Sequence, residues 1–172
     1  MLSMLLLACG GTDPDTVATL DDWSGGEYAV YTLAADDACF DGALSALFMP
    51  AGPSTPHAFE YPVYLPDYDE LPLDYTVDLR EPFTSIPLSV SETNTAEMVG
   101  TGQIEGVLLG EAAYGDCTAD FNVELLINPA SATTADSTAT IDITGLSGAD
   151  GRCPVPLNTP CQITLELWAE AP

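Results

Sequence analysis

The strongest constraint in this chain is an alternation of apolar and polar residues with a period of two, carried by segments separated by turn residues. From 117 to 128, Cys117, Ala119, Phe121, Val123, Leu125 and Ile127 fall on one face, with Thr118, Asp120, Asn122, Glu124, Leu126 and Asn128 on the other. From 161 to 169 the apolar face is Cys161, Ile163, Leu165, Leu167 and Ala169, opposed by Gln162, Thr164, Glu166 and Trp168. The same split sets Leu73, Tyr75, Val77 and Leu79 against Asp74, Thr76, Asp78 and Arg80. It also sets Phe59, Tyr61, Val63 and Leu65 against Ala58, Glu60, Pro62 and Tyr64, and Ala139, Ile141 and Ile143 against Thr138, Thr140, Asp142 and Thr144. Successive strand side chains point to opposite faces, so each segment is a half-buried strand whose apolar side needs a cover. The predicted fold is all-β, an antiparallel two-sheet sandwich or a flattened barrel.

Within that frame Pro62, Pro72, Pro82 and Pro87 are expected on edges or in turns, where a missing N–H is not needed. Gly102, Gly106 and Gly110 alternate with Ile104 and Leu108, which predicts a sharply curved strand or a close backbone approach. One short helix fits 41–48, with Asp41 as N-cap and Leu44, Leu47 and Phe48 as its apolar stripe. A strand fits the same stretch, because Phe40, Leu44, Ala46 and Phe48 also follow period two.

The chain opens with an apolar run ending Leu6-Leu7-Ala8-Cys9, which resembles the lipobox of bacterial lipoproteins. That resemblance implies a signal peptide over 1–8 and lipidation of Cys9 as the mature N-terminus. The protein would then be anchored to a membrane by its lipid rather than spanning it. No Lys or Arg precedes the run, so the reading places the true start upstream of Met1. Residues 9–26, rich in Gly and Asp, read as a tether, and 27–172 as one β domain. Gly10 rather than Asp follows Cys9, which by the same resemblance implies the outer membrane of a double-membraned bacterial envelope.

Setting Cys9 aside leaves an even number of cysteines: Cys39, Cys117, Cys153 and Cys161. Spacing favours Cys153–Cys161 across a Pro-rich clasp, with Cys39–Cys117 as the long-range bridge, and disulfides of this kind belong to an oxidising compartment. The spacings form no paired CxxC elements and His57 is the only histidine, so zinc is not expected.

Charge excludes one class of partner. The chain carries 27 Asp and Glu against two basic residues, Arg80 and Arg152, for a net charge of −25. Such a surface repels nucleic acid and anionic headgroups, and its charged partners are counter-ions or basic proteins. The acids are spread along the chain, as in a solvated, salt-adapted coat.

No catalytic constellation is legible. His57 lies in a Pro-flanked stretch without a nucleophile elbow and reads as a surface residue. The densest candidate site runs from Tyr64 to Tyr75. There Asp67, Asp69 and Glu70 offer hard oxygen ligands for Ca²⁺, while Tyr64, Tyr68 and Tyr75 offer rings for an apolar or sugar ligand. Asp36 and Asp37, near Asp41, form a second acidic group that reads as a turn and cap. Three functions follow: an envelope lipoprotein whose domain is structural or binds a protein, glycan or small apolar ligand through one end of the sandwich, a calcium-dependent glycan- or peptide-recognition module, and an anchored hydrolase. The first is preferred, and an enzyme is not expected.

Overall fold

The computed structural model describes residues 23–50, 52, 54–59, 62–77, 86–94, 97–109, 114–149 and 151–172. The lipobox, Cys9, the first part of the expected tether, Tyr61, Leu79, Arg80, Pro82 and Gly110 lie outside them. The strands are β1 (Gly26–Asp36), β2 (His57–Ala58), β3 (Val63–Leu65), β4 (Leu73–Val77), β5 (Ile86–Asn94), β6 (Glu97–Leu108), β7 (Thr118–Ser131), β8 (Thr134–Ser147) and β9 (Gln162–Glu170). Between them lie one short helix, α1 (Ser45–Phe48), and a 3-10 turn at Tyr68–Glu70.

The fold is all-β, and every pairing is antiparallel. The covering layer comes from the same sheet. The order is β2-β1-β9-β8-β7-β6-β5-β4, with β3 also paired to β1, and the sheet is not closed. Laid flat, the seven steps from the β3 position to β4 would span about 34 Å at ~4.8 Å per step. Leu65 ends β3 and Leu73 begins β4, so eight backbone steps of at most ~3.6 Å, or about 29 Å, must bridge them. The 3-10 turn shortens that reach further. The sheet must therefore roll up. Val63 and Leu65 of β3, Val30 of β1 and Ile86 and Leu88 of β5 accordingly line one common cavity.

The expected inner faces are buried: Phe121, Val123, Leu125 and Ile127 of β7, Ile141 and Ile143 of β8, and Ile163, Leu165 and Leu167 of β9. The packed body reaches back to Trp23, inside the segment read as tether. Its ring stacks on Tyr28 with centroids 4.9 Å apart, and its indole N–H donates to the Pro66 carbonyl at 3.0 Å.

Three sequence expectations are corrected. The disulfides are Cys39–Cys161 and Cys117–Cys153, not Cys153–Cys161 and Cys39–Cys117. β9 pairs with β1 through Asp36–Thr164, and carrying that register three residues further sets Cys39 opposite Cys161. The β8–β9 loop is thus tied at Cys153 to the start of β7 instead of clasping itself. Second, the helix shrinks to α1 and Asp41 does not cap it. Asp41 is exposed with φ 55°, and the buried Asp37 organises the turn, accepting from the N–H groups of Phe40 and Leu44 at 2.8 Å each. Third, Pro87 sits inside β5, neither on an edge strand nor in a turn. It is tolerated because the β5–β6 ladder ends at Ser89–Thr101, before the missing N–H would be needed.

Gly102 makes the close approach expected of it: a Cβ there would lie 1.9 Å from the Pro87 carbonyl oxygen. Gly102→Ala should therefore cost about 1–3 kcal/mol, read as a lower urea midpoint, whereas exposed Thr101→Ala should stay within about 0.5 kcal/mol. Equal midpoints for the two variants would contradict the close approach. Non-reducing peptide mapping should return the Cys39–Cys161 and Cys117–Cys153 peptides, and a Cys153–Cys161 peptide would overturn the strand order. By loop-closure entropy the first bridge, 122 residues apart, contributes about 5 kcal/mol and the second, 36 apart, about 4 kcal/mol. Removing the first should cost more.

Candidate functional site

The Tyr64–Tyr75 stretch is the crossover that joins the two ends of the rolled sheet, and Asp67 and Glu70 serve that turn. Asp67 Oδ1 accepts from the Gly25 N–H at 2.6 Å. Glu70 Oε2 accepts from the Tyr64 hydroxyl at 2.9 Å and from the Asp67 N–H at 3.2 Å. Asp69 lies in the 3-10 turn and is exposed. Tyr68 opens that turn, and Tyr75 stands opposite Leu88 in the β4–β5 register. Among the described residues no three His, Cys, Asp or Glu side chains gather as a metal site. Asp67, Asp69 and Glu70 are near one another without converging.

The interior of the roll holds a cavity of about 80 Å³ whose only polar lining side chains, among the described residues, are His57 and Ser137. It reaches the surface near α1 and β2, where its lining residues Leu47, His57 and Phe59 are only half-buried. His57 is thus a cavity residue on a strand, not the surface loop residue that the sequence suggested. The inner-face register runs His57, Thr32, Leu167, Ser137, which puts His57 and Ser137 three strands apart, about 14 Å along the sheet. Thr32 between them is fully buried, and its hydroxyl has no hydrogen-bond partner. Small-molecule sites usually measure about 300–1,000 Å³. At 80 Å³ the cavity is a packing seam with one polar strip.

The larger concavity lies on the opposite face, over β6 to β9. A groove of about 510 Å³ is lined by Thr101, Gln103, Asn122, Glu124, Thr140, Asp142 and Gln162, with Gly102 and Val123 contributing to its floor. The alternation that turns Phe121, Val123 and Ile141 inward turns these polar residues outward. A bulge in β6 between Ile104 and Val107 bends the sheet beside them, and Asp120 Oδ1 holds it by accepting from the Gly106 N–H at 2.9 Å. The sequence marked Asn122, Glu124, Thr140, Asp142 and Gln162 as outward-facing. Only strand register assembles them into one site.

No protein-family model matches the chain, and neither a curated protein nor a solved structure is found similar to it. No helix among the described residues is long and apolar enough to cross a membrane.

Three tyrosines near the turns carry phenols raised above their ordinary value of 10.0. For Tyr28 burial is the main cause, with the Asp67 charge second. For Tyr64 the main cause is the hydrogen bond to Glu70. For Tyr114 it is burial, followed by the Asp37 charge. A raised folded-state value means that the stabilisation is complete below the unfolded value and is lost as pH climbs from about 10 through the folded values. The denaturation midpoint should accordingly fall above pH ~10. Phenolate absorbance of the folded protein should lag that of the unfolded protein, and coincident titration curves would refute these contacts.

Proposed function

We propose that this protein is a lipid-anchored component of the bacterial cell envelope whose β domain is a partner-binding module. The cysteine inventory carries the reading. Cys39, Cys117, Cys153 and Cys161 are consumed by two disulfides among themselves, so no cysteine of the chain is left to pair with Cys9. A cysteine directly after Leu6-Leu7-Ala8 suits acylation. Two disulfides also suit an oxidising compartment. Gly10 after Cys9 favours the outer membrane, by resemblance to lipoproteins of double-membraned bacteria.

Binding is preferred to catalysis on chemical grounds. Nucleophilic catalysis needs a base within about 2.6–3.2 Å of its nucleophile, and register sets His57 and Ser137 three strands apart. The open groove instead presents amides, hydroxyls and carboxylates, groups that hydrogen-bond a polar ligand.

Mass spectrometry of protein extracted from membranes should find the N-terminal peptide beginning at Cys9 with diacylglycerol on its sulfur and a fatty acid on its amine. Cys9→Ala should appear in the soluble fraction or accumulate as unprocessed precursor. An unmodified Cys9 in membrane-extracted material would falsify the anchor.

A further inference from the structure

The groove over β6 to β9 is arranged for a ligand that brings its own hydrogen-bond donors. One row runs in register across four strands, Gln103 opposite Asn122, Asn122 opposite Asp142, and Asp142 opposite Gln162, with strands spaced ~4.8 Å apart. A second row sets Thr101 opposite Glu124 and Glu124 opposite Thr140. Asp142 Oδ1 is shielded from solvent and accepts no hydrogen bond, although amides flank it on both sides. The Asp142 side chain as a whole is only half-buried, so its carboxylate can turn to a charged N–H donor in the groove, the partner that most effectively offsets the cost of an unpaired oxygen. Glu124 lies on the diagonal from Asp142 and adds a second negative charge. Among the described residues no cationic side chain lines the groove, and the chain carries −25 overall, so anionic ligands are repelled and cationic ones drawn in.

The remaining lining groups narrow the chemistry. Gln103, Asn122, Gln162, Thr101 and Thr140 each both donate and accept, which matches hydroxyl groups, and hydroxyls do the same. An ammonium alone would leave the amide donors unused, and a neutral polyol would leave Asp142 without a charged donor. The volume of about 510 Å³ is that of a small-molecule site. We infer that this groove binds an amino sugar, with its ammonium on Asp142 and Glu124 and its hydroxyls on the amide row.

The test is calorimetric titration of the full chain in detergent with a glucosamine disaccharide, alongside its N-acetylated form and spermidine. Saturable binding is expected for the amino disaccharide. It should weaken by about tenfold or more for the N-acetylated form, for spermidine and for Asp142→Asn. It should also disappear as the pH is raised until the amine is neutral. Gln162→Ala, at an exposed position, should weaken binding with the melting temperature unchanged, which separates a lost contact from a lost fold. Absence of saturable binding, equal affinity for the acetylated sugar or for spermidine, or wild-type affinity in Asp142→Asn would overturn the proposal. The titration does not depend on acylation of Cys9, so its failure leaves the anchoring proposal standing, and the converse holds.

Discussion

The crossover from Leu65 to Leu73 is too short to join the ends of a flat sheet, and burial of the inner face follows from that restriction. Because β3 beside β1 and β4 beside β5 are held within its reach, the sheet rolls until Val30, Val63 and Leu65 face Ile86 and Leu88. Phe121, Ile127 and Ile163, fully buried at the middle of the roll, are covered by strands of their own sheet. The segment before β1 secures the crossover through the Trp23 indole on the Pro66 carbonyl and the Gly25 N–H on Asp67. Rolling also requires a bend. Gly102 supplies it where the Pro87 backbone leaves no room for a side chain, and the bulge at Gly106 continues it.

The acids of this chain divide into two populations. Some satisfy backbone donors: Asp37 holds the turn after β1, Asp67 and Glu70 hold the crossover, Asp120 holds the β6 bulge and Asp116 accepts from the Ala149 N–H at 2.9 Å. Hydrogen bonds to charged groups are worth roughly 1.5–3 kcal/mol each, less where solvent screens them. These acids stabilise the turns in which they sit by satisfying backbone N–H groups there. Others stand on outward strand faces, where charges more than ~8 Å apart are largely screened at physiological salt. Asp142 fits neither population, since its Oδ1 is shielded yet accepts nothing.

The sequence by itself determined which residues face inward along β7, β8 and β9, because side-chain direction alternates with every residue and a one-residue slip would expose the whole apolar set. In β6 the bulge broke the expected alternation, burying Val107 and Leu109 and exposing Leu108. It also determined the bend at Gly102, since an interior strand glycine signals close backbone approach. It could not determine strand order, which depends on which hydrogen-bonding edges meet and not on the periodicity of either strand. Three outcomes turned on that order. Insertion of β9 between β8 and β1 paired Cys39 with Cys161 in place of the nearer Cys117, whose inward direction had been legible. The joining of β3 to β4 made the Tyr64–Tyr75 stretch a structural strap, although its composition suited a ligand loop equally well. Register across β6 to β9 gathered Gln103, Asn122, Asp142 and Gln162 from four separate segments into one row, a juxtaposition with no trace in local pattern, because it exists only once the edges of those strands are hydrogen-bonded to one another.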